Sequence, residues 1–139
     1  MTKTDIIIIG AGPVGFFAVF EAGLMKLKCH LIDIIPEAGG QLTEIYPKKP
    51  IYDIPGYPKI LAGELIENLM EQAAPFKPGF TLGERAETIE KQKDSSFIVT
   101  TSEGTQHHAP VVIIAGGLGS FEPRKPKIEN INKFEKKGV

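Results

Sequence analysis

The sequence predicts an α/β fold: a parallel sheet flanked by helices, with an antiparallel β-meander inserted before the last parallel strand. Three observations carry this prediction. An apolar run, Thr4 to Ile9, meets Gly10-Ala11-Gly12-Pro13-Val14-Gly15 and then a helix-like stretch. A second apolar run, Cys29 to Ile32, ends at Asp33. Further on, three short strand patterns separated by turn residues lead into Val111-Val112-Ile113-Ile114. The first two together have the layout of a βαβ unit.

The elements follow in order. Thr4 to Ile9 contains four consecutive isoleucines, the signature of a strand buried on both faces. Phe16 to Leu27 reads as the first helix, with Pro13 tolerated in its opening turn. Gly23 within it marks either a mild break or close helix–sheet packing. Cys29 to Asp33 is the second strand. Residues Ile34 to Ile60 are rich in Pro, Gly and Tyr and show no period, so they read as a long irregular segment of the kind that carries function. Leu65, Ile66, Leu69 and Met70 recur at helical spacing across Ala62 to Ala74, and Pro75 and Pro78 end that helix. Phe80 and Leu82 suggest a short strand. Glu87 to Lys93, Ser96 to Thr101 and Thr105 to Ala109 form the meander, turned by Asp94-Ser95 and by Ser102-Glu103-Gly104. Val111 to Ile114 returns as a buried-type strand and closes on Ala115-Gly116-Gly117-Leu118-Gly119. The tail, Ser120 to Val139, is rich in lysine and proline.

Bulk properties narrow the function classes. A length of 139 residues suits one domain with a sizeable core. A formal net charge of -1 leaves no electrostatic footprint for nucleic acid or an acidic membrane. One cysteine precludes an internal disulfide and fits a reducing compartment; at the start of an apolar strand, Cys29 reads as a small hydrophobe. No run reaches membrane-span length, and Met1 leads almost directly into the first strand, so the cytoplasm is expected. The His and Cys residues lack metal-ligand spacing, and no metal is expected. His107-His108 lie in a meander strand and are expected to face solvent, with weak support for Ser/His/Asp catalysis. No catalytic side chain is assigned.

The glycine motif carries the chemistry. Gly10 permits the tight turn off the strand, Gly12 lets a diphosphate approach bare backbone, and Gly15 lets the helix pack close to the sheet. The free N–H groups at the helix start, Val14 among them, then face phosphate charge with the helix dipole behind them. Asp33, about 20 residues on, can accept hydrogen bonds from ribose hydroxyls, and its charge would repel a 2′-phosphate. That points to FAD or NAD rather than NADP in this site. A plain NAD-binding Rossmann domain crosses to its next parallel strand through a helix. Three antiparallel strands in that place favour a Rossmann-like FAD-binding domain. After Asp33, the pair Gly39-Gly40 allows backbone to approach a flat ring. Gln41 offers a donor and an acceptor for a flavin edge, and Tyr46 an aromatic face.

Taken together, several motifs resemble the thioredoxin-reductase-like ferredoxin–NADP⁺ reductases, in order and spacing over nearly the whole chain. They are Gly10-x-Gly12-x-x-Gly15, Asp33, Gly39-Gly40-Gln41-Leu42, Tyr46-Pro47-x-Lys49-x-Ile51-Tyr52-Asp53, Gly56-Tyr57-Pro58 and Gly119-x-Phe121-x-Pro123-Arg124. The Tyr46-to-Asp53 stretch favours this branch over the thioredoxin reductases, which share Gly-Gly-Gln-Leu. Disulfide reductases of the glutathione and lipoamide type would carry a cysteine pair where this chain has Gly-Gly-Gln-Leu. The resemblance implies that Gly10, Gly12, Val14 and Gly15 cradle the FAD diphosphate and that Asp33 holds the ribose. It further implies that Ala86 offers backbone to adenine and that Gly40, Gln41, Tyr46, Gly116 and Phe121 serve the flavin side. Asp53 is a weaker candidate for orienting the flavin loop. The resemblance divides the chain into the N-terminal part of an FAD-binding domain, 1–119, and a crossover linker, 120–139, toward an NADPH domain.

Only one nucleotide fingerprint is present, so the chain is expected to be a truncated portion, inactive alone and poor in FAD affinity. The resemblance implies a homodimer in which NADPH reduces flavin, and flavin reduces ferredoxin or flavodoxin. Two alternatives stand beside it: a thioredoxin reductase with its cysteine pair elsewhere, and a non-catalytic nucleotide-binding module. The tail's basic cluster (Arg124, Lys125, Lys127, Lys133, Lys136, Lys137) is interrupted by Glu122, Glu129 and Glu135 and reads as solvated surface.

Overall fold

The computed structural model describes residues 1–40, 42 and 47–119. Its elements are β1 (Thr2–Lys3), β2 (Ile6–Ile9), α1 (Pro13–Leu24), β3 (Cys29–Asp33), β4 (Pro50–Ile51) and β5 (Ile60–Leu61). They continue with α2 (Ala62–Ala73), a 3-10 turn (Ala74–Phe76), β6 (Gly79–Leu82), β7 (Ala86–Lys91), β8 (Phe97–Thr101), β9 (Gln106–Ala109) and β10 (Val111–Ile114).

A four-stranded parallel sheet, ordered β10-β2-β3-β6, forms the centre. A second sheet, ordered β1-β9-β8-β7, holds the meander, whose β7, β8 and β9 pair antiparallel. The α/β prediction with a meander crossover is therefore what the chain adopts. β6 lies at one edge of the parallel sheet, and the meander carries the chain across to β10 at the other edge.

The alternation of β2 explains its apolar monotony. Ile6 and Ile8 pack with Phe16 and Val19 of α1, together with Leu31 and Ala73. Ile7 turns to the other face and packs with Ile32, Val99 and Ala109 beneath the meander. With helices on one face and the meander on the other, no position of β2 has a wet side, so period two is erased from the sequence.

Several boundaries differ from expectation, each for a local reason. The first apolar run does not enter the sheet at Thr4. Thr2 and Lys3 instead pair parallel with His107 and His108 in the meander sheet, and the chain changes sheets at Thr4–Asp5. There the Asp5 Oδ2 accepts the Lys28 N–H at 2.7 Å. α1 stops at Leu24 rather than Leu27. Lys26 takes φ 62, and the Leu27 N–H returns to the Ala22 carbonyl at 3.0 Å, the left-handed closure common at helix ends. Gly23 is required by neither a break nor the sheet: a Cβ there would lie 2.2 Å from the Phe76 ring. The segment after Asp33 contains one small ribbon, β4 with β5, in which Pro50 pairs with Leu61 and Ile51 with Ile60.

One expectation fails outright. His107 does not face solvent; it is 1% exposed, because β9 turns it toward the parallel sheet. Its ring packs against that of His30 of β3, with centroids 4.5 Å apart and planes tilted by 34°. His108, one residue on, is half-buried and points to the other face.

Candidate functional site

A cleft of about 460 Å³ opens at the carboxyl ends of β2, β3 and β10, where open α/β sheets place their ligands. The glycine turn and the start of α1 form one wall, and Gly116 to Gly119 another. Asp33, Gly40, Leu42, Arg85 and Ala86 also line it.

The glycines of the motif divide into two physical kinds. Gly10 has φ +111, and a Cβ there would lie 2.3 Å from the Ala115 carbonyl oxygen. A Cβ on Gly15 would lie 2.1 Å from the Gly10 carbonyl oxygen. Both are demanded by the fold, since the backbone after β10 closes on Gly10 and the glycine turn closes on Gly15. Gly12 is different. It has an ordinary φ of -85 as the helix N-cap, and a Cβ there would meet nothing within 4 Å among the described residues. Gly116 is equally open. The fold asks for glycine at neither position, yet both border the cleft. Bare backbone where packing does not require it fits a ligand that approaches closely.

The start of α1 adds charge complementarity. Its N-cap makes no side-chain hydrogen bond and its first turn has no acidic residue. The early amides, Val14 and Gly15 among them, and the positive end of the helix dipole therefore have no cap or acidic side chain of the helix's own first turn to neutralise them. Val14 is 65% exposed at the cleft wall. Gly40, at φ +61, crosses the turn so closely that a Cβ would lie 3.3 Å from the Gly12 Cα.

Asp33 occupies the end of β3 as expected, half-buried. Its Oδ2 accepts the Ala11 N–H at 2.7 Å and its Oδ1 accepts the Ile35 N–H at 3.0 Å. Ala86 begins β7. The preceding residue, Arg85, is tied to Ser102: the Ser102 N–H donates to the Arg85 carbonyl at 2.8 Å, and the Arg85 N–H donates to Ser102 Oγ at 3.2 Å. Antiparallel alternation then turns the N–H and C=O of Ala86 away from β8, on the side where the cleft lies. Arg85 also forms an ion pair with Glu87 at 2.6 Å. Asp53 is exposed and does not line the cleft. Gln41, Tyr46 and Phe121, and the whole 120–139 linker, lie outside the described residues.

Two side-chain clusters stand apart from the cleft. Ser96 Oγ lies 2.7 Å from His108 Nε2 and donates to Asp94 Oδ1 at 2.6 Å. The carboxylate thus holds the serine hydroxyl rather than orienting the imidazole, which is the reverse of a hydrolytic triad. Among the described residues, no group of three or more His, Cys, Asp or Glu could hold a metal ion. The second cluster is His30, Thr81 and His107, which sequence inspection missed. Thr81 Oγ1 lies 2.8 Å from His30 Nε2 and 3.4 Å from His107 Nε2. A legible trace of it existed in Gly79, whose absent Cβ would lie 2.3 Å from the His30 ring. Burial, then the neighbouring His107, lowers His30 from 6.5 to about 4. Burial also pushes the Cys29 thiol up to about 11, with Asp5 adding to the effect.

No family model matches the chain. Individual proteins do. Over its whole length it is 76% identical to ferredoxin–NADP reductase 1 of Christiangramia forsetii, and 70% identical to ferredoxin–NADP reductase of Flavobacterium johnsoniae. This chain is similar to the ferredoxin–NADP reductases. It spans 39% and 40% of the length of those two curated relatives. Among solved structures, thioredoxin reductase of T. acidophilum matches with TM-score 0.74 at 23% identity, covering 96% of this chain and 41% of that one. Thioredoxin reductase of Streptococcus pyogenes matches with TM-score 0.72 at 26% identity, covering 96% and 40%. An NADP-bound steroid monooxygenase matches with TM-score 0.75 at 18% identity, covering 94% and 29%. These structures share the fold.

Proposed function

We propose that the chain forms the FAD-binding portion of a ferredoxin–NADP⁺ reductase. The observation that carries this is the pair of open glycines, Gly12 and Gly116, bordering a cleft beside an uncapped helix start. The 76% identity to a ferredoxin–NADP reductase supports the choice within flavoproteins; the thioredoxin reductase structures are similar at only 23% and 26%.

The residues divide the work. Gly12, Val14 and Gly15 present amides to the FAD diphosphate, and Gly10 sets the turn that aims them. Asp33 accepts from the adenosine ribose. Ala86 reads adenine with its N–H and C=O. Gly40 and Gly116 admit the flavin side by having no side chain. Gln41, Tyr46 and Phe121 are assigned to the flavin end by resemblance alone. When bound, FAD supplies a two-electron to one-electron exchange between NADPH and a ferredoxin or flavodoxin. The protein binds and orients it, and no residue of this chain need donate or remove a proton.

The reading extends to a cytoplasmic homodimer whose activity needs more chain than 139 residues. No helix among the described residues is long and apolar enough to cross a membrane. Titrating the protein with FAD, then with NADPH and a dye acceptor, tests the reading. Weak flavin binding without turnover is expected of this chain by itself. Steady NADPH-driven dye reduction would refute the need for further chain, and failure to bind either FAD or ADP would refute the nucleotide site.

A further inference from the structure

We infer that Asp33 is a positioning residue for the diphosphate as well as a ribose acceptor: its carboxylate fixes the glycine turn and the loop that follows. The inference deepens the proposed nucleotide site and rests on it. Ala11 sits at the centre of the turn and is fully buried. Its N–H donates to Asp33 Oδ2 at 2.7 Å, and its carbonyl accepts the Gly39 N–H at 2.8 Å. The other Asp33 oxygen accepts the Ile35 N–H at 3.0 Å. One side chain thus ties the turn at Ala11 to the loop start at Ile35, while Gly39 ties the far end of that loop back to the same residue. Gly40 then comes to rest over Gly12.

The neighbouring backbone bonds do not replace this tie. The Gly10 N–H reaches the Ile32 carbonyl at 2.8 Å, and the Ala115 N–H reaches the Ile9 carbonyl at 2.7 Å. Both anchor strand ends, upstream of the turn. Among the described residues, the side chain that bonds to the turn past Gly10 is Asp33. A carboxylate has about four lone-pair sites, so two backbone donors leave room for sugar hydroxyls. The acid can serve both purposes at once. Its loss should therefore weaken ligands that carry no sugar hydroxyl, because the amides of Gly12 to Gly15 lose their aim.

The test uses ADP and 2′,3′-dideoxy-ADP, titrated calorimetrically into the protein and its Asp33→Ala variant, which removes both acceptor oxygens. A charge-assisted bond lost from the turn should weaken dideoxy-ADP about tenfold or more, with the melting temperature measured alongside. If Asp33 acts through the sugar alone, the substitution weakens ADP and leaves dideoxy-ADP unchanged, which overturns the inference. A ligand-free readout separates this from the function itself. A through-hydrogen-bond scalar coupling between the Ala11 amide nitrogen and the Asp33 carboxyl carbon is expected by NMR in the unsubstituted protein. Its absence overturns the positioning role even if nucleotides bind, or if Asp33→Ala does not fold. Its presence without any ADP binding upholds the tie but removes the nucleotide function.

Discussion

Acid should open the seam between the parallel sheet and the meander, and His30 sets the pH window. His30 and His107 face each other across that seam, sharing Thr81 Oγ1, with the Glu84 carboxylate acting on His107 against the effect of burial. His107 Nδ1 is buried without a hydrogen-bond partner, so a proton added there finds no acceptor. The folded protein holds His30 at about 4 against 6.5 for a free imidazole. Between those values the unfolded chain binds more protons than the folded one, so stability falls as pH drops from about 6.5 toward 4. At about 1.4 kcal/mol per pH unit the full window costs up to ~3 kcal/mol, a large share of a small domain's stability. His107, lowered chiefly by burial, adds to the loss in the same direction. Urea unfolding of the protein and of His30→Gln, from pH 7.5 to 4.5, measures it. The unsubstituted protein should lose stability steadily, and the variant should show a flatter slope by roughly the His30 share. Parallel slopes, or an NMR titration placing His30 near 6.5, would refute the reasoning.

The two kinds of glycine should separate in one experiment. Gly12→Val should cost no more than about 1 kcal/mol, the loss of a favoured N-cap residue, while weakening ADP or FAD binding at least about tenfold; equal loss of stability and binding would contradict this. Gly15→Ala should cost about 1–3 kcal/mol in urea, from overpacking against the Gly10 carbonyl. Gly23→Ala should destabilise similarly by displacing the Phe76 ring, and combining it with Phe76→Leu should recover part of the loss, a coupling read from a double-mutant cycle. Cys29, buried with its thiol pushed up to about 11, should resist iodoacetamide at pH 7.5 until the protein is unfolded in urea. Rapid alkylation of the native protein, followed by mass spectrometry, would show the strand is open.

Much of the cleft could be read along the chain because its parts are adjacent in sequence. Strand, glycine turn, helix and acid follow within 33 residues, and each announces its job through a backbone constraint. The meander was also legible, since its turns use residues that bond their own backbone: Asp94 Oδ1 accepts the Ser96 N–H at 3.0 Å. The histidine seam was not. Residues 30, 81 and 107 meet only after two sheets stack, and nothing in the local pattern around His107 distinguishes an inward from an outward histidine.

The sequence by itself determined the order of elements, the glycine turn and the acid at the strand end, because local sterics and hydrogen bonding act over a few residues. Only the tertiary structure decided which glycines the fold consumes and which it leaves open. Gly10 is filled by the Ala115 carbonyl from more than a hundred residues away, whereas Gly12 meets none of the described residues. That distinction depends on what packs opposite each missing side chain, which no local pattern records.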